Sequence, residues 1–160
     1  MDLGVSIALD GGTFAEAMAH MRRYVSFDPA PLMEAIAGLG ESQTIRRITD
    51  EKTAPDGTPW APNRAGSSIL METGQHLLKS VAFYASAEEA VWGASWEFAH
   101  VHQEGAVINA KDSPYLTFFA GGAWRSKKSV TIPARPFVGL SDENRAEIED
   151  LVTDHFGRLQ

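Results

Sequence analysis

Residues 131–144, TIPARPFVGLSDEN, constrain the fold of this chain more than any other stretch. Each of its prolines, Pro133 and Pro136, disfavours helical geometry in the residue before it. The backbone there must therefore be extended, and the apolar pair Phe137 and Val138 is expected to anchor it in a core. The stretch ends in residues typical of a helix start. It predicts a stiff connector that leads from a strand into a helix.

The helix after this connector is the clearest element of the sequence. Ser141 can cap its first turn, and Asp142 and Glu143 complement the helix dipole. Gly139 is expected to permit a sharp approach to the cap. Apolar residues recur at helical spacing and form one face: Ile148, Leu151, Val152, His155, Phe156 and Leu159. We predict an amphipathic helix that packs this face on the rest of the domain.

Apolar periodicity and capping residues predict four further helices. One begins at Thr13, with a stripe of Phe14, Ala17, Met18, Met21 and Val25. A second begins at Asp28 and carries Leu32, Ile36, Leu39, Ile45 and Ile48, with a bend expected at Gly38 and Gly40. The third is short, capped by Thr73, and ends near Lys79. A short helix from Ser95 to Gly105 completes the set.

Alternating apolar residues predict several short strands. Residues 5–9 form one strand, and residues 81–85 and 90–93 form a hairpin around a turn at 86–89. Residues 106–109 and 129–132 are also predicted as strands. Residues 53–68, with a turn at Asp56-Gly57, and 110–128, with Gly121-Gly122, are predicted as extended loops. The whole chain, 1–160, is therefore interpreted as one α+β domain, with a small antiparallel β-sheet packed against α-helices and long loops.

Composition places limits on the function. The chain has 160 residues, of which 44% are hydrophobic and 22% charged, which is typical of a soluble globular domain. It has no cysteine, which excludes disulfides and thiolate zinc sites. No apolar run is long enough for a membrane span, and the first residues lack the basic region of a secretory signal. The net charge of −7 argues against a dedicated nucleic-acid binder.

Charge is distributed unevenly near the C-terminus. Residues 121–136 contain Arg125, Lys127, Lys128 and Arg135 without an acid, whereas residues 141–154 contain six acids against Arg145. Such segregation fits solvated surfaces, or the two halves of a contact between copies of the chain. A third interpretation is a non-specific nucleic-acid contact through the basic residues and the neighbouring Trp124.

Tryptophans outside the predicted elements are candidates for contacts between subunits, because aromatic residues are enriched at interfaces. Trp60 and Trp124 both fall in predicted loops, and Trp60 is also expected to pin its loop to the body. The candidate interface residues are Trp60, Trp124, Arg125, Lys127, Lys128 and Arg135. Arg135 sits on the stiff connector, so its guanidinium is preorganised to pair with a carboxylate or with carbonyls, within the subunit or across to a neighbour.

Catalytic patterns are weak in this sequence. No serine sits in a nucleophile elbow, and neither glycine pair is followed by the Lys-Ser/Thr of a phosphate loop. His100, His102 and Glu104 would be the ligands of a metal-dependent hydrolase, which is the alternative enzymatic interpretation, but three such residues lack the spacing of known zinc motifs. We expect no catalytic, cofactor or metal site.

Several motifs occur in the order found in one protein family. They are PDGTPW at 55–60, LMETG to KS at 70–80, VWG at 91–93, FAHVHQEG at 98–105 and IPARPFVGLS at 132–141. Together they resemble the virion morphogenesis (tail completion) proteins of Mu-like and P2-like contractile-tailed phages, over about residues 30–156. The residues that carry the resemblance are His102, Gln103, Gly105, Pro133, Arg135, Pro136 and Phe137. The basic segment 124–128 and Phe98, in place of a tyrosine, depart from the family pattern.

This resemblance implies structural work in the virion. Such proteins are made late in infection in the bacterial cytoplasm, act at the neck or the top of the tail, and catalyse nothing. They are similar to neck and tail-terminator proteins, whose small α+β domains form rings. The resemblance thus implies a homo-oligomeric ring, a hexamer or alternatively a dodecamer. Its neighbours would be neck, tail-tube or connector proteins, with DNA passing through its lumen and no membrane involved. It leaves open whether the protein is a tail terminator or a head-side connector.

Overall fold

The computed structural model describes residues 16, 19, 21–22, 25–63, 66–71 and 76–158. The predicted strand at 5–9, most of the helix from Thr13, the cap at Thr73 and the apolar residue Leu159 lie outside the described residues. Within the first predicted helix, the described residues 16, 19, 21, 22 and 25 are helical. Met21 and Val25, which belong to its predicted apolar stripe, are exposed.

The described residues form an α+β fold, as predicted. The helices are α1 (Ala30–Arg46, continued by a π-helical turn, Arg47–Glu51), α2 (His76–Lys79), α3 (Ala99–Glu104) and α4 (Asp142–Gly157). The strands are β1 (Val81–Ala85), β2 (Ala90–Ala94), β3 (Ala106–Asn109), β4 (Leu116–Ala120), β5 (Ala123–Lys127) and β6 (Ser129–Ile132). None of the helices in the described part of the chain is long and apolar enough to cross a membrane.

The strands form three two-stranded antiparallel ladders in the described residues, not the single sheet that was predicted. β1 pairs with β2, with Phe83 opposite Trp92. β3 pairs with β6, with Ile108 opposite Val130, and β4 pairs with β5. Alternation along a strand indicates which face is apolar, but it does not specify which edges pair. The prediction of one sheet was therefore wrong, whereas the 81–94 hairpin and the strand at Ser129–Ile132 are confirmed.

Residues 110–128 were predicted to be an extended loop, and this prediction was wrong for most of them. Residues 116–127 form the β4–β5 hairpin. Gly121 and Gly122 have φ of 60° and 76°, the left-handed geometry that a two-residue hairpin turn requires. The glycine pair, which was predicted to lie in an extended loop, therefore closes a hairpin turn. The Ala110 amide donates to the Lys128 carbonyl at 2.9 Å, so the hairpin prolongs the β3–β6 ladder. We call residues 116–127 the arm.

Helix α1 continues without interruption through Gly38 and Gly40, from Ala30 to Arg46. A Cβ on Gly40 would lie 2.3 Å from an indole atom of Trp92, which shows that the glycine allows a close approach to β2. A Cβ on Gly38 would lie 3.7 Å from the Phe83 ring, an ordinary contact. Asp28 does support the helix start, because its carboxylate accepts from the Ala30 amide at 3.0 Å.

The buried face of α1 also differs from the predicted stripe. Ile36 and Leu39 are only half-buried, while the buried positions are Leu32, Ala37, Gly40, Gln43 and Thr44, followed by Arg47 and Ile48 in the π turn. Periodicity searches count apolar residues, so they miss a helix face whose buried members are small or polar. This face packs against β1, β2 and α4.

One apolar core joins these elements. It consists of Ile48, Trp60, Leu77, Val81, Ala99 and Phe137. Phe137 therefore anchors the connector, as predicted. Helix α3 begins at Ala99 without a side-chain cap, so the expected start at Ser95 was wrong, but it ends at Gly105 as predicted.

Candidate functional site: a buried joint and an exposed arm

The amide of Gln103 holds the connector in place. Its side-chain oxygen accepts from the Phe137 and Val138 amides at 3.0 and 3.1 Å, and its Nε2 donates to the Val138 carbonyl at 3.0 Å. A side-chain amide thus pairs with an extended segment much as a neighbouring strand would. The prolines keep the segment out of a helix, so these three backbone groups are available for Gln103.

Arg135 and Trp60 tie the connector to the loop before residue 63. The Arg135 Nε and Nη2 atoms donate to the Ala61 carbonyl at 3.1 and 2.9 Å, and Arg135 is only 6% exposed. The Trp60 indole donates to the Pro136 carbonyl at 3.2 Å. Of the partners considered for Arg135, the structure shows carbonyl pairing within the subunit. Trp60, at 5% exposure, pins its loop and is not placed as a surface contact.

Arg47 joins the connector to the start of α4. Its Nη1 donates to the Phe137 and Gly139 carbonyls at 3.2 and 2.8 Å, and its Nη2 donates to the Asn144 side chain. Asn144 also forms a reciprocal capping box with Ser141: the Asn144 amide donates to the Ser141 hydroxyl oxygen at 3.1 Å, and the Ser141 amide donates to the Asn144 side-chain oxygen at 3.4 Å. The cap at Ser141 was predicted. The buried Arg47, which contacts Asn144, was not predicted.

Gln43 and Glu147 extend this polar network to the body of α4. Gln43 Nε2 donates to the Asn144 carbonyl at 3.1 Å and to Glu147 Oε2 at 2.7 Å. Arg46 forms an ion pair with Glu147 at 3.0 Å. Hydrogen bonds from Arg46 and Gln43 lower the pKa of Glu147, which keeps this carboxylate ionised. Nothing in the sequence pattern distinguishes Gln43 or Arg47 from the exposed polar residues beside them.

We call the connector and the side chains that hold it (Arg47, Trp60, Gln103 and Asn144) the joint, and Gly105 and His102 complete it. Gly105 has φ of 77°, and a Cβ there would lie 2.8 Å from the Ala134 nitrogen, so only glycine lets the connector pass this close. The His102 carbonyl accepts from the Arg135 amide at 2.7 Å. The His102 ring stacks on Trp96 with centroids 5.7 Å apart. Pro133 itself is exposed, and its effect is on the backbone before it.

Burial sets the electrostatics of this joint. It lowers the pKa of both Arg47 and Arg135, because charge is costly away from water. Burial, together with the nearby Arg135 charge, also lowers the pKa of His102. The hydrogen bonds that hold the connector run from the side chains of Gln103, Arg135 and Arg47 to backbone groups. These bonds hold the connector against the end of α1, against α3 and against the loop before residue 63, which makes this part of the fold rigid.

The three residues considered for a metal do not converge. His100 and Glu104 are exposed, while His102 is half-buried against Trp96. Among the described residues, no group of three or more histidine and acidic side chains is placed to hold a metal ion.

The arm carries the remaining candidate residues and has two different faces. Directly paired residues of an antiparallel ladder share a face. Arg125 lies opposite Phe118 and Lys127 lies opposite Leu116, and we call this the basic face. The other face pairs Phe119 with Trp124 and Thr117 with Ser126, and we call it the aromatic face. The charged residues therefore lie on one side of the ribbon, together with the half-buried Phe118, and the exposed rings of Phe119 and Trp124 lie on the other.

The arm is exposed to solvent in the single chain. Every residue of β5 is exposed, and Trp124 and Phe119 keep 72% and 62% of their surface. Their rings contact each other edge to face, with centroids 5.7 Å apart. Lys128, at the bend between β5 and β6, is exposed as well. Exposed aromatic surface of this kind is typical of sites that contact another molecule.

The outer face of α4 is the acidic counterpart. Its exposed carboxylates are Asp142, Glu143, Glu149, Asp150 and Asp154, which we call the acidic stripe. Within the described residues, the ion pairs of α4 involve only Glu147, with Arg46. The arm and the acidic stripe therefore carry opposite charges that are not paired within the described part of the subunit.

Comparisons with known proteins agree with the motifs. The model of the phage virion morphogenesis family matches residues 12–157. The chain is 29% identical over 146 residues to the Mu-like prophage FluMu G protein 2 of Haemophilus influenzae, covering 91% of this chain and 85% of that protein. It is 34% identical over 134 residues to the tail completion protein S of Escherichia phage P2, covering 75% and 78%. No solved structure gives a significant match. The family match covers most of the chain, including the whole of the joint and the arm, and the chain therefore belongs to the phage virion morphogenesis family.

Proposed function

We propose that this protein is a non-enzymatic structural component of a tailed-phage virion that acts in tail completion. Its copies form a ring at the neck or at the top of the tail. Family membership and the name of the P2 relative, a tail completion protein, support the tail assignment. The observation that carries the ring is the arm, which presents exposed aromatic and basic side chains to solvent.

A ring is supported by the opposite charges of the arm and the acidic stripe, which form no ion pair with each other within the described residues. Two different surfaces of one chain that bind each other make a head-to-tail contact, which closes into a ring when the rotation allows. The joint supports such an assembly, because it fixes the connector and the start of α4 relative to the core. Six copies would fit a tail terminator, and twelve would fit a connector on the head side.

The ring would place the protein in the finished virion after synthesis in the bacterial cytoplasm. Its partners would be further copies of itself and adjacent neck, tail-tube or connector proteins. The negative net charge of −7 suits a lumen through which DNA slides without sticking.

The test is the mass of the purified protein, measured by light scattering across concentration and followed by class averages of any assembly. We expect a closed ring that accounts for the mass. A protein that remains monomeric at every concentration, also in the presence of virion tails, would contradict the ring. Labelling of the protein on intact virions is expected to mark the head–tail junction, whereas label at the distal end of the tail would contradict the proposed position.

A further inference from the structure

The basic face of the arm and the acidic stripe of α4 match each other in geometry as well as in charge. Residues two apart on a strand lie about 6.7 Å apart, which is the spacing of Arg125 and Lys127. Residues four apart on a helix lie about 6 Å apart, which is the spacing of Asp150 and Asp154. A ribbon laid along α4 can therefore bring both cations to two carboxylates at once.

We propose that the basic face of the arm docks on the acidic stripe of a second copy, through Arg125 and Lys127 on one side and Asp150 and Asp154 on the other. This inference rests on the proposed ring and names the contact that builds it. The choice of a second copy follows from charge complementarity. The chain carries both surfaces, and they are unpaired with each other in the described residues.

The two faces of the arm imply different exposure after docking. The basic face is covered by the neighbouring α4, and Leu116 and Phe118, which are half-buried in the single chain, lose their remaining exposure. The aromatic face, on the opposite side of the ribbon, stays accessible. Because the charges are exposed before docking, the attraction is screened by salt, and association should weaken as ionic strength rises.

Charge reversal and charge exchange test this contact. The arm variant is Arg125→Glu with Lys127→Glu, and the stripe variant is Asp150→Lys with Asp154→Lys. Each should weaken self-association about tenfold or more, because like charges then face each other. The quadruple variant, which carries all four changes, should regain assembly, since its surfaces are again complementary. The control is Arg22→Glu with Lys79→Glu, two exposed cations outside the arm, which should assemble like the wild type.

Folding is controlled within the same set. All four positions are exposed, so melting temperatures should stay close to that of the wild type. A lysine at position 154, in the last turn of α4, is also favourable to the helix dipole. A stripe variant that melts normally but stays monomeric would support the docking.

The outcomes separate this contact from the ring itself. Wild type that never assembles contradicts the proposed function. Wild type that assembles while the arm and stripe variants assemble equally well overturns the docking and leaves the ring. The docking would also be overturned if the variants assemble normally and the wild type retards DNA in a gel, in a salt-dependent way that the arm variant abolishes. That result would assign the basic face to nucleic acid.

Discussion

Replacing Arg135 with alanine removes the side chain that joins the connector to the Ala61 carbonyl. Arg135 is 6% exposed and donates twice to that one oxygen, at 3.1 and 2.9 Å. Hydrogen bonds to charged groups contribute about 1.5–3 kcal/mol, and the carbonyl left behind loses its partner. The packed stem of the arginine is lost as well. We expect a loss of about 2–4 kcal/mol in the free energy of unfolding.

Arg125→Ala is the matched control for this substitution. Arg125 lies on the exposed strand β5, so its loss should change stability by no more than about 0.5 kcal/mol. It should instead weaken assembly. The two arginines are thus expected to affect different quantities, although they are only ten positions apart.

Chemical denaturation of both variants measures the first quantity, and light scattering below the melting transition measures the second. At about 2–4 °C for each kcal/mol, Arg135→Ala should melt roughly 5–15 °C below the wild type. The melting temperature of Arg135→Lys should lie between those of Arg135→Ala and the wild type, since one ammonium cannot reproduce the two parallel donors of the guanidinium. Equal stabilities of Arg135→Ala and Arg125→Ala would refute the assignment of Arg135 to an internal joint.

Further substitutions test the close backbone contacts of two glycines and the half-buried His102. Gly40→Ala should destabilise the fold by about 1–3 kcal/mol, because its Cβ would lie 2.3 Å from an indole atom of Trp92. In the same denaturation assay, Gly38→Ala should be neutral or stabilising. A larger loss for Gly38→Ala than for Gly40→Ala would contradict the packing of α1 on β2. Gly105→Ala should lower the free energy of unfolding more than Gly57→Ala. Both glycines have positive φ, but only at Gly105 would a Cβ lie 2.8 Å from a backbone nitrogen, that of Ala134. Equal losses would refute the close approach of the connector to Gly105. The pKa of His102 is lowered below its ordinary 6.5, so the unfolded chain binds the proton first and stability should fall as pH drops from about 7 toward 5. His102→Gln should flatten that part of the curve of unfolding free energy against pH, and an unchanged slope would assign it to other groups.

The C-terminal part of the fold was accessible from sequence because local rules decide it. Pro133 and Pro136 exclude a helix, Ser141 begins one, and apolar spacing continues it. These signals act within a few residues, and no distant contact overrides them. The structure confirms the cap, the helix and the anchoring of Phe137 in the core.

The buried polar face of α1 was not accessible in the same way. Gln43 and Arg47 look like surface residues, because long polar side chains are mostly exposed. Their burial depends on carbonyls of the connector, which lies about 90 to 100 positions away in the chain. Such partners exist only once the fold has formed, so a single sequence gives no indication of them.

The pairing of the strands was missed for a related reason. Gly121-Gly122 is compatible with a flexible loop and with a tight turn, and the choice depends on whether the flanking residues pair. Phe118 and Phe119 are consecutive, which breaks the simple alternation that identifies a half-exposed strand. The candidate site was predicted in part: Trp124, Arg125, Lys127 and Lys128 do lie on an exposed surface, while Trp60 and Arg135 are buried.

Hydrogen exchange measured on the assembled wild type and on the monomeric arm variant tests the central claim most directly. The claim is that the family motif builds an internal joint and that the arm makes the contact between subunits. Assembly should increase amide protection in residues 116–127 and 142–154, while residues 133–140 should exchange slowly and equally in both states. New protection at 133–140, with none in the arm, would contradict the account.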